Sequence, residues 1–354
     1  MNIGIDVRKL RDYGIGTHIR NVVLHAARTD TENRYFLFCE PGVRDVADGP
    51  FTWIEESSPK YSLREHVSLS RKASEHDIAL FHSPHYTLPY LLNCKSIVTI
   101  HDLIHLKFRE FFPYWKTKAA EFLIQQAIKK ADLVITVSKT SKEDILELFP
   151  ASKGKIEVLY NRLSEEWLQP PQEMDLASLG ISEDYLLYVG NFKKHKGIDT
   201  LIDAWSRIKD RPALVLAGKS SEMDADLQTK VFSHPGIRVL GFAGGTLLRN
   251  LYSKAMLFVF PSLYEGFGYP PLEAMLSGAP VLSSDAPALR EILGKDADFF
   301  HAGNAEDLHE KLTTLIQDPA RRTRHKTAAM KRAKSFVDEE SPQKLLQIFR
   351  RVAQ

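Results

Sequence analysis

Short apolar runs rich in valine, isoleucine and leucine alternate along the chain with longer stretches whose apolar residues recur every three or four positions. In the first half, runs at 2–6, 35–38, 78–82, 96–101 and 133–137 predict buried strands. Stretches at 17–27, 63–75, 115–130 and 139–149 predict the helices between them. Parallel strands need helical crossovers, so this half is predicted to be a doubly wound α/β domain. Around 163–181 the pattern breaks, and Leu168-Gln169-Pro170-Pro171-Gln172-Glu173 is polar and proline-interrupted, as a linker would be. The alternation restarts with strands at 185–189, 213–217, 237–240, 257–260 and 280–283 and helices at 198–208 and 247–254. Helical segments at 305–317, 321–336 and 342–352 close the chain, and the last can serve either domain. The predicted division is therefore 1–165, a linker at 166–180, a second doubly wound domain at 181–336, and a final helix in 337–354. Two such domains facing each other would leave a cleft, with ligands outside the carboxyl ends of the strands.

Composition narrows the function classes. A length of 354 residues suits two domains with a core each. The 47 basic residues nearly balance 45 acidic ones, which supplies no broad footprint for nucleic acid. Cys39 and Cys94 both lie in apolar stretches and suggest buried thiols rather than a disulfide framework or a cysteine zinc site. The start, Met1-Asn2-Ile3-Gly4-Ile5-Asp6, carries an acid where an export signal needs an apolar run. The most apolar windows, such as 256–261, are far below the ~20 residues that span a bilayer. A cytoplasmic protein is expected.

The most informative chemistry follows the strand at 257–260, in Pro261-Ser262-Leu263-Tyr264-Glu265-Gly266-Phe267-Gly268-Tyr269-Pro270-Pro271-Leu272-Glu273-Ala274-Met275. Gly266 and Gly268 permit close backbone approach, and Pro270 and Pro271 suit a helix start, where a missing N–H costs nothing. A helix beginning near Pro270 would offer free N–H groups and a positive dipole end to a phosphate. Glu265 in the loop and Glu273 in the first turn are then better used on sugar or ribose hydroxyls than on the anion. The plain alternative is a solvated loop residue and a favourable first-turn charge.

Glu265 and Glu273, with seven residues between them, resemble the Glu-x7-Glu motif of the retaining glycosyltransferases of family 4, which have the GT-B fold. The flanking Gly266-Phe267-Gly268-Tyr269-Pro270-Pro271-Leu272 and Ser277-Gly278-Ala279-Pro280-Val281 are similar too. A looser resemblance covers nearly the whole chain, and it implies a last helix that crosses back to the N-terminal domain. It also implies that Glu265 faces the transferred sugar, that Glu273 contacts the nucleotide ribose, and that backbone N–H groups around Gly266, Phe267 and Gly268 contact the donor.

Val189-Gly190-Asn191-Phe192-Lys193-Lys194-His195-Lys196-Gly197, after the strand at 185–189, resembles the family's diphosphate-binding loop. Lys196 matches its lysine. Asn191 stands where many members have arginine, so Lys193 or Lys194 is expected to supply the second charge; as a bare pattern the stretch is also a solvated turn. After the first strand, Gly14-Ile15-Gly16 lacks the third glycine of a dinucleotide fingerprint. The resemblance implies a loop there near the donor phosphates and the acceptor, with Gly16 its best single residue. A histidine in the family approaches the donor sugar from the N-terminal domain, which assigns His101; Asp102 either orients it or reaches the acceptor, and a structural histidine is the alternative. His85 and His82 are placed on the acceptor side. Phe108, Phe111, Phe112, Tyr114 and Trp115 among Lys107, Arg109, Lys116 and Lys118 form either a peripheral membrane contact or a buried helix-docking loop. Asp224-Ala225-Asp226 and Asp296-Ala297-Asp298 look like metal motifs but are taken as surface loops, and no metal or other cofactor is expected.

These residues imply a metal-independent, retaining transferase moving a hexose to a hydroxyl of a saccharide or lipid-linked acceptor. The donor is a nucleotide sugar, GDP-mannose first and a UDP-glucose type second. An epimerase, a phosphorylase or a hydrolase of the same fold, and a non-catalytic two-domain sugar- or nucleotide-binding protein, are the alternatives.

Overall fold

Residues 1–43, 49–181 and 184–354 are described by the computed structural model. They form two compact units: Met1–Arg162 together with Asp338–Gln354, and Leu163–Val337. The first holds strands β1 (Asn2–Asp6), β2 (Arg34–Cys39), β3 (Phe51–Glu55), β4 (Leu80–Ser83), β5 (Lys95–Ile100), β6 (Leu133–Thr136) and β7 (Ile156–Val158). They build one parallel sheet in the order β3-β2-β1-β4-β5-β6-β7.

Alternation along these strands sends neighbouring residues to opposite faces. Leu37, Ile97 and Ile135 join Ile3, Ile5, Val22 and Val23 in one core. Phe38, Val98 and Val134 join Phe81, Leu69, Ile124 and Ile145 in the other. Because both faces are covered, the central strands carry buried apolar residues on both sides, which is what made them legible in the sequence. The last helix, Ser341–Ala353, buries Leu345, Ile348 and Phe349 in the first of these cores, so the chain's end completes the unit that its beginning starts.

The second unit holds β8 (Tyr185–Val189), β9 (Ala213–Ala217), β10 (Ile237–Val239), β11 (Leu257–Phe260), β12 (Val281–Ser284) and β13 (Asp298–Phe300). These are also all parallel, in the order β10-β9-β8-β11-β12-β13. Strand order reverses between β1 and β4 and again between β8 and β11. At such switch points the loops leaving adjacent strands splay apart and open a crevice at the carboxyl edge.

Several expectations need correction. β3, β7 and β13 were not anticipated; each lies at or near a sheet edge, and β7 and β13 have only three residues, too few for a periodic signal. The helix expected at 17–27 starts earlier, at Tyr13, and runs through a π-helical stretch, Ile19–Leu24, to Thr29. Gly16 therefore sits inside the helix Tyr13–His18, not in a loop. A Cβ there would lie 2.3 Å from the Leu10 carbonyl oxygen, so glycine lets the helix close on the preceding turn. The helix expected at 321–336 is two, Pro319–Arg324 and Lys326–Lys334. Neither Asp-x-Asp stretch is a simple loop: Asp224 caps the helix Ala225–Phe232 by accepting from the Leu227 N–H, and Asp298 opens β13 and pairs with Arg321 at 3.3 Å. Tyr114 and Trp115 are exposed at 77% and 67%, which removes the buried-docking alternative for them. Among the described residues, no helix is long and apolar enough to cross a membrane.

Candidate active site

In the second unit, two loops leave the carboxyl ends of the adjacent strands β8 and β11, and the sequence forces them into contact. After β8 the chain passes Gly190 and the Tyr188 hydroxyl donates to the Asn191 carbonyl at 2.6 Å. A single 3-10 turn, Lys194–Lys196, then ends at Gly197. Gly197 has φ +68, and a Cβ there would stand 2.1 Å from the carbonyl oxygen of Pro261 in the other loop. Only glycine allows both the left-handed backbone and that approach. The contact is stitched by the His195 carbonyl, which accepts from the Leu263 N–H at 2.8 Å and the Ser262 hydroxyl at 3.3 Å. The Ser284 hydroxyl, at the end of β12, holds the Ser262 carbonyl at 2.5 Å.

This frame brings Lys196 to Glu265, whose Nζ and Oε1 are 2.5 Å apart with both side chains 13% exposed. Residues separated by 69 positions thus form one largely dry ion pair. An ammonium and a carboxylate so placed can meet a phosphate oxygen and a sugar hydroxyl side by side.

Beyond Glu265, Gly268 has φ +98 and caps the helix Tyr269–Leu276, with Pro270 and Pro271 in its first turn. The helix start lies where the prolines suggested. Glu273 falls in the second turn, not the first. It accepts from the Tyr252 hydroxyl at 3.1 Å, and burial pushes its carboxyl up to about 7 against the opposing pull of that hydrogen bond. The Phe267 ring is buried and packs edge-on against Phe336, so what this residue offers a ligand is its backbone. Gly266 is buried beside it.

Among the lysines of the first loop, Lys194 reaches Asp224 at 3.6 Å. Lys193 is exposed, and its backbone N–H is 3.4 Å from the Asn191 side-chain oxygen. Asn191 braces the loop from within, and of the two candidates Lys193 has the ammonium not committed to Asp224.

In the first unit, His101 follows β5 directly. Its Nε2 donates to the Pro84 carbonyl at 3.0 Å, which assigns Nδ1 as the unprotonated nitrogen. Asp102 does not orient this ring by a hydrogen bond: its Oδ1 accepts from the Ile104 N–H at 3.0 Å, in a turn leading into the short helix Ile104–Lys107. His85 is buried, with Nε2 3.4 Å from the Tyr61 hydroxyl.

Two features escaped the sequence reading. His18 packs edge-on against His101 with ring centroids 4.9 Å apart, and its Nδ1 donates to the Asn161 side-chain oxygen at 2.7 Å. With His82, whose Nε2 meets the Thr99 hydroxyl at 2.9 Å, this makes a nest of imidazoles in which His18 and His82 are fully buried and His101 is half-buried. Desolvation holds His18 well below, and His101 below, the ordinary range, and lowers His82 to about 3. The second missed feature is a buried charge triad in which Arg8 bonds Asp6 at 2.5 and 2.8 Å and Glu65 at 2.6 Å. Three charged residues that end buried leave no periodic trace; only Asp6 and Arg8 at the close of an apolar strand hint at it. Among the described residues, no group of three or more His, Cys, Asp or Glu side chains could hold a metal ion.

Comparison with known proteins gives this geometry its context. Residues 183–318 match the family described as Glycosyl transferases group 1, and residues 13–165 match Glycosyltransferase Family 4. The chain is a family 4 glycosyltransferase. It is an enzyme of the GT-B fold, with a Rossmann-like parallel sheet in each unit. The glycosyltransferase is 28% identical over 272 residues to O-antigen chain mannosyltransferase B of Escherichia coli, covering 73% of this chain and 70% of that one. Its fold matches sucrose-phosphate synthase from Thermosynechococcus elongatus with a TM-score of 0.79 at 20% identity, covering 99% of both chains. It also matches the Anabaena protein HepE, solved in complex with UDP-glucose, with a TM-score of 0.75 at 17% identity over 98% of this chain and all of that one.

Proposed function

We infer that the glycosyltransferase moves a hexose from a nucleoside-diphosphate sugar to a hydroxyl of a saccharide or lipid-linked acceptor, without a metal ion and with retention at the anomeric carbon. The observation that carries this is the Lys196–Glu265 pair, held between two loops at the switch point of the second unit's sheet. In the proposed reaction the acceptor oxygen bonds to the anomeric carbon on the face from which the diphosphate leaves. The bond to the leaving oxygen breaks, and that oxygen takes the acceptor proton. Charge then grows on the diphosphate, where Lys196, Lys193 and the positive end of the helix Tyr269–Leu276 stabilise it, with Gly268 and Tyr269 the N–H donors there because Pro270 and Pro271 have none. Cationic side chains thus do the neutralising that a divalent ion does elsewhere. Glu265 holds the sugar hydroxyls, Glu273 the ribose, and the backbone of Gly266, Phe267 and Gly268 the donor. On the N-terminal unit, His101 offers a neutral imidazole to the transferred sugar, while Asp102 and His85 serve the acceptor.

GDP-mannose is the first choice of donor, supported by the mannosyltransferase relative. UDP-glucose comes second, supported by the HepE complex. A lipid-linked acceptor is in keeping with exposed Tyr114 and Trp115 beside Lys116 and Lys118, a combination suited to peripheral contact with the cytoplasmic membrane face.

Thermal stabilisation by GDP, UDP, ADP and dTDP, each with and without EDTA, tests the donor site. A shift selective for GDP and unchanged by EDTA is expected. Nucleoside diphosphate should then be released from GDP-mannose only when an acceptor is supplied. Stabilisation that vanishes with EDTA, or no stabilisation by any nucleotide, overturns the assignment.

A further inference from the structure

The loops that leave β1, β3 and β4 at the carboxyl edge of the first unit's sheet carry Lys9, Tyr61, and His85 with Tyr86. These four side chains form one cluster. The Tyr61 ring stacks on that of Tyr86 with centroids 6.1 Å apart and planes at 30°, and Tyr86 lies 4.0 Å from the His85 ring. Lys9 Nζ donates to the Tyr61 hydroxyl at 2.8 Å, and that hydroxyl lies 3.4 Å from Nε2 of His85. Tyr61 is nevertheless 44% exposed, so an aromatic surface edged with fixed donors and acceptors is open to solvent.

Tyr61 also holds a backbone conformation, φ +66, that residues with a side chain rarely adopt. The cause is traceable residue by residue. Its N–H donates to Oε2 of Glu65, whose Oε1 is held by Arg8, whose guanidinium is held in turn by Asp6. Those three side chains are at most 9% exposed. The buried triad therefore sets the place and tilt of an exposed ring.

We propose that Tyr61, with Tyr86, His85 and Lys9, forms a platform for a neutral pyranose ring of the acceptor, and that Glu65 is its positioning residue. Aromatic faces meet the C–H face of a pyranose, while an ammonium and two phenols at the rim meet its hydroxyls and the buried His85 ring backs Tyr86 from within. Charge argues for a neutral sugar over a diphosphate. Lys9 is paired with Asp12 at 3.1 Å, and Arg8 is outnumbered by its two carboxylates, so the patch presents no net positive field. This rests on the glycosyl-transfer reading and specifies which acceptor chemistry the first unit selects.

The test measures binding of methyl α-mannobioside and methyl β-cellobioside by saturation-transfer NMR, beside stabilisation by GDP in the same samples. Tyr61→Gly is the informative variant, because glycine tolerates φ +66 and removes the ring without straining the fold. The expected result is a disaccharide bound by the wild type and weakened about tenfold or more in Tyr61→Gly, with GDP stabilisation unchanged. Tyr61→Phe, which keeps the ring and loses the hydroxyl, should weaken it about threefold. Glu65→Gln should raise the acceptor KM while leaving kcat close to wild type. Equal binding by wild type and Tyr61→Gly overturns the proposal, as does the absence of binding to the wild type. Competition by pyrophosphate that disappears in Lys9→Met also overturns it, by marking a diphosphate site. Failure of every nucleotide to bind would defeat the donor assignment but leave the disaccharide measurement readable, so the two failures are distinguishable.

Discussion

The second unit meets its ligand edge with opposite charges in contact, and the first unit meets its own with imidazoles that burial keeps neutral. Lys196 and Glu265 are fixed by backbone: a glycine pressed against a carbonyl and two hydrogen bonds to the His195 carbonyl set their loops before any side chain is considered. His18, His82 and His101 are fixed one ring at a time, by hydrogen bonds to the Asn161 side chain, the Thr99 hydroxyl and the Pro84 carbonyl respectively. The first arrangement suits a site that must stabilise charge as it develops, since donors that do not reorganise lose nothing at the moment of reaction. The second suits recognition of neutral hydroxyl groups, where a charged ring would draw water.

Removing the ion pair should break this contrast most severely. Lys196→Met and Glu265→Gln should each lower kcat by about 10³, the scale of losing a preorganised transition-state contact, and the double variant should lose far less than the product of the two. Steady-state kinetics on all three decides it, and single-variant losses below tenfold would show that the pair is structural. A smaller effect, on stability, is expected from the loop frame. Gly197→Ala should cost about 2–4 kcal/mol, because φ is positive and the new methyl meets a carbonyl at 2.1 Å. Gly154 of the first unit has φ +89 with nothing within 4 Å, so Gly154→Ala should cost only about 1 kcal/mol. Denaturant unfolding of the two variants separates steric contact from backbone strain.

Titration should move the two units in different ways. The lowered pKa values of His18, His82 and His101 mean that the unfolded chain takes up protons below about pH 6.5 while the folded unit does not. Stability is then full above that pH and falls as the medium is acidified, by up to ~1.4 kcal/mol per pH unit for each buried ring. His82→Gln should flatten the fall. In the second unit, Glu273 titrates near 7, and its ionised form is the better acceptor of a ribose hydroxyl. GDP affinity should therefore weaken about fivefold as pH falls through 7, and Glu273→Gln should abolish the dependence, as read by calorimetry.

Much of the fold, and the two loops that form the second unit's candidate site, were legible in the sequence, and the reasons are local. Strands buried on both faces appear as continuous apolar runs, and a glycine-rich loop running into two prolines announces a helix start without help from distant residues. The first unit's edge was far less readable. His101 could be singled out because it follows a strand, but Tyr61 precedes a helix in a loop of no special composition, and its role depends on Asp6 at the end of β1, Arg8 just after it and Glu65 in the first turn of the helix Leu63–Glu75. Gly16 was misread for a related reason: what it touches, the Leu10 carbonyl, is set by how the helix closes on the turn before it.

By itself the chain's sequence determined two parallel α/β units, their strand-end loops, and the residue types available there, because hydrophobic period, glycine and proline act over a few neighbouring positions. Only the tertiary structure decided that Lys196 pairs with Glu265, that Lys194 is drawn to Asp224, that Asp102 holds the Ile104 N–H, and that a triad under Tyr61 sets its backbone. Each of those outcomes depends on distance and burial between residues remote in sequence or at the mouth of a loop, and distance and burial are what set the strength of a charge or a hydrogen bond.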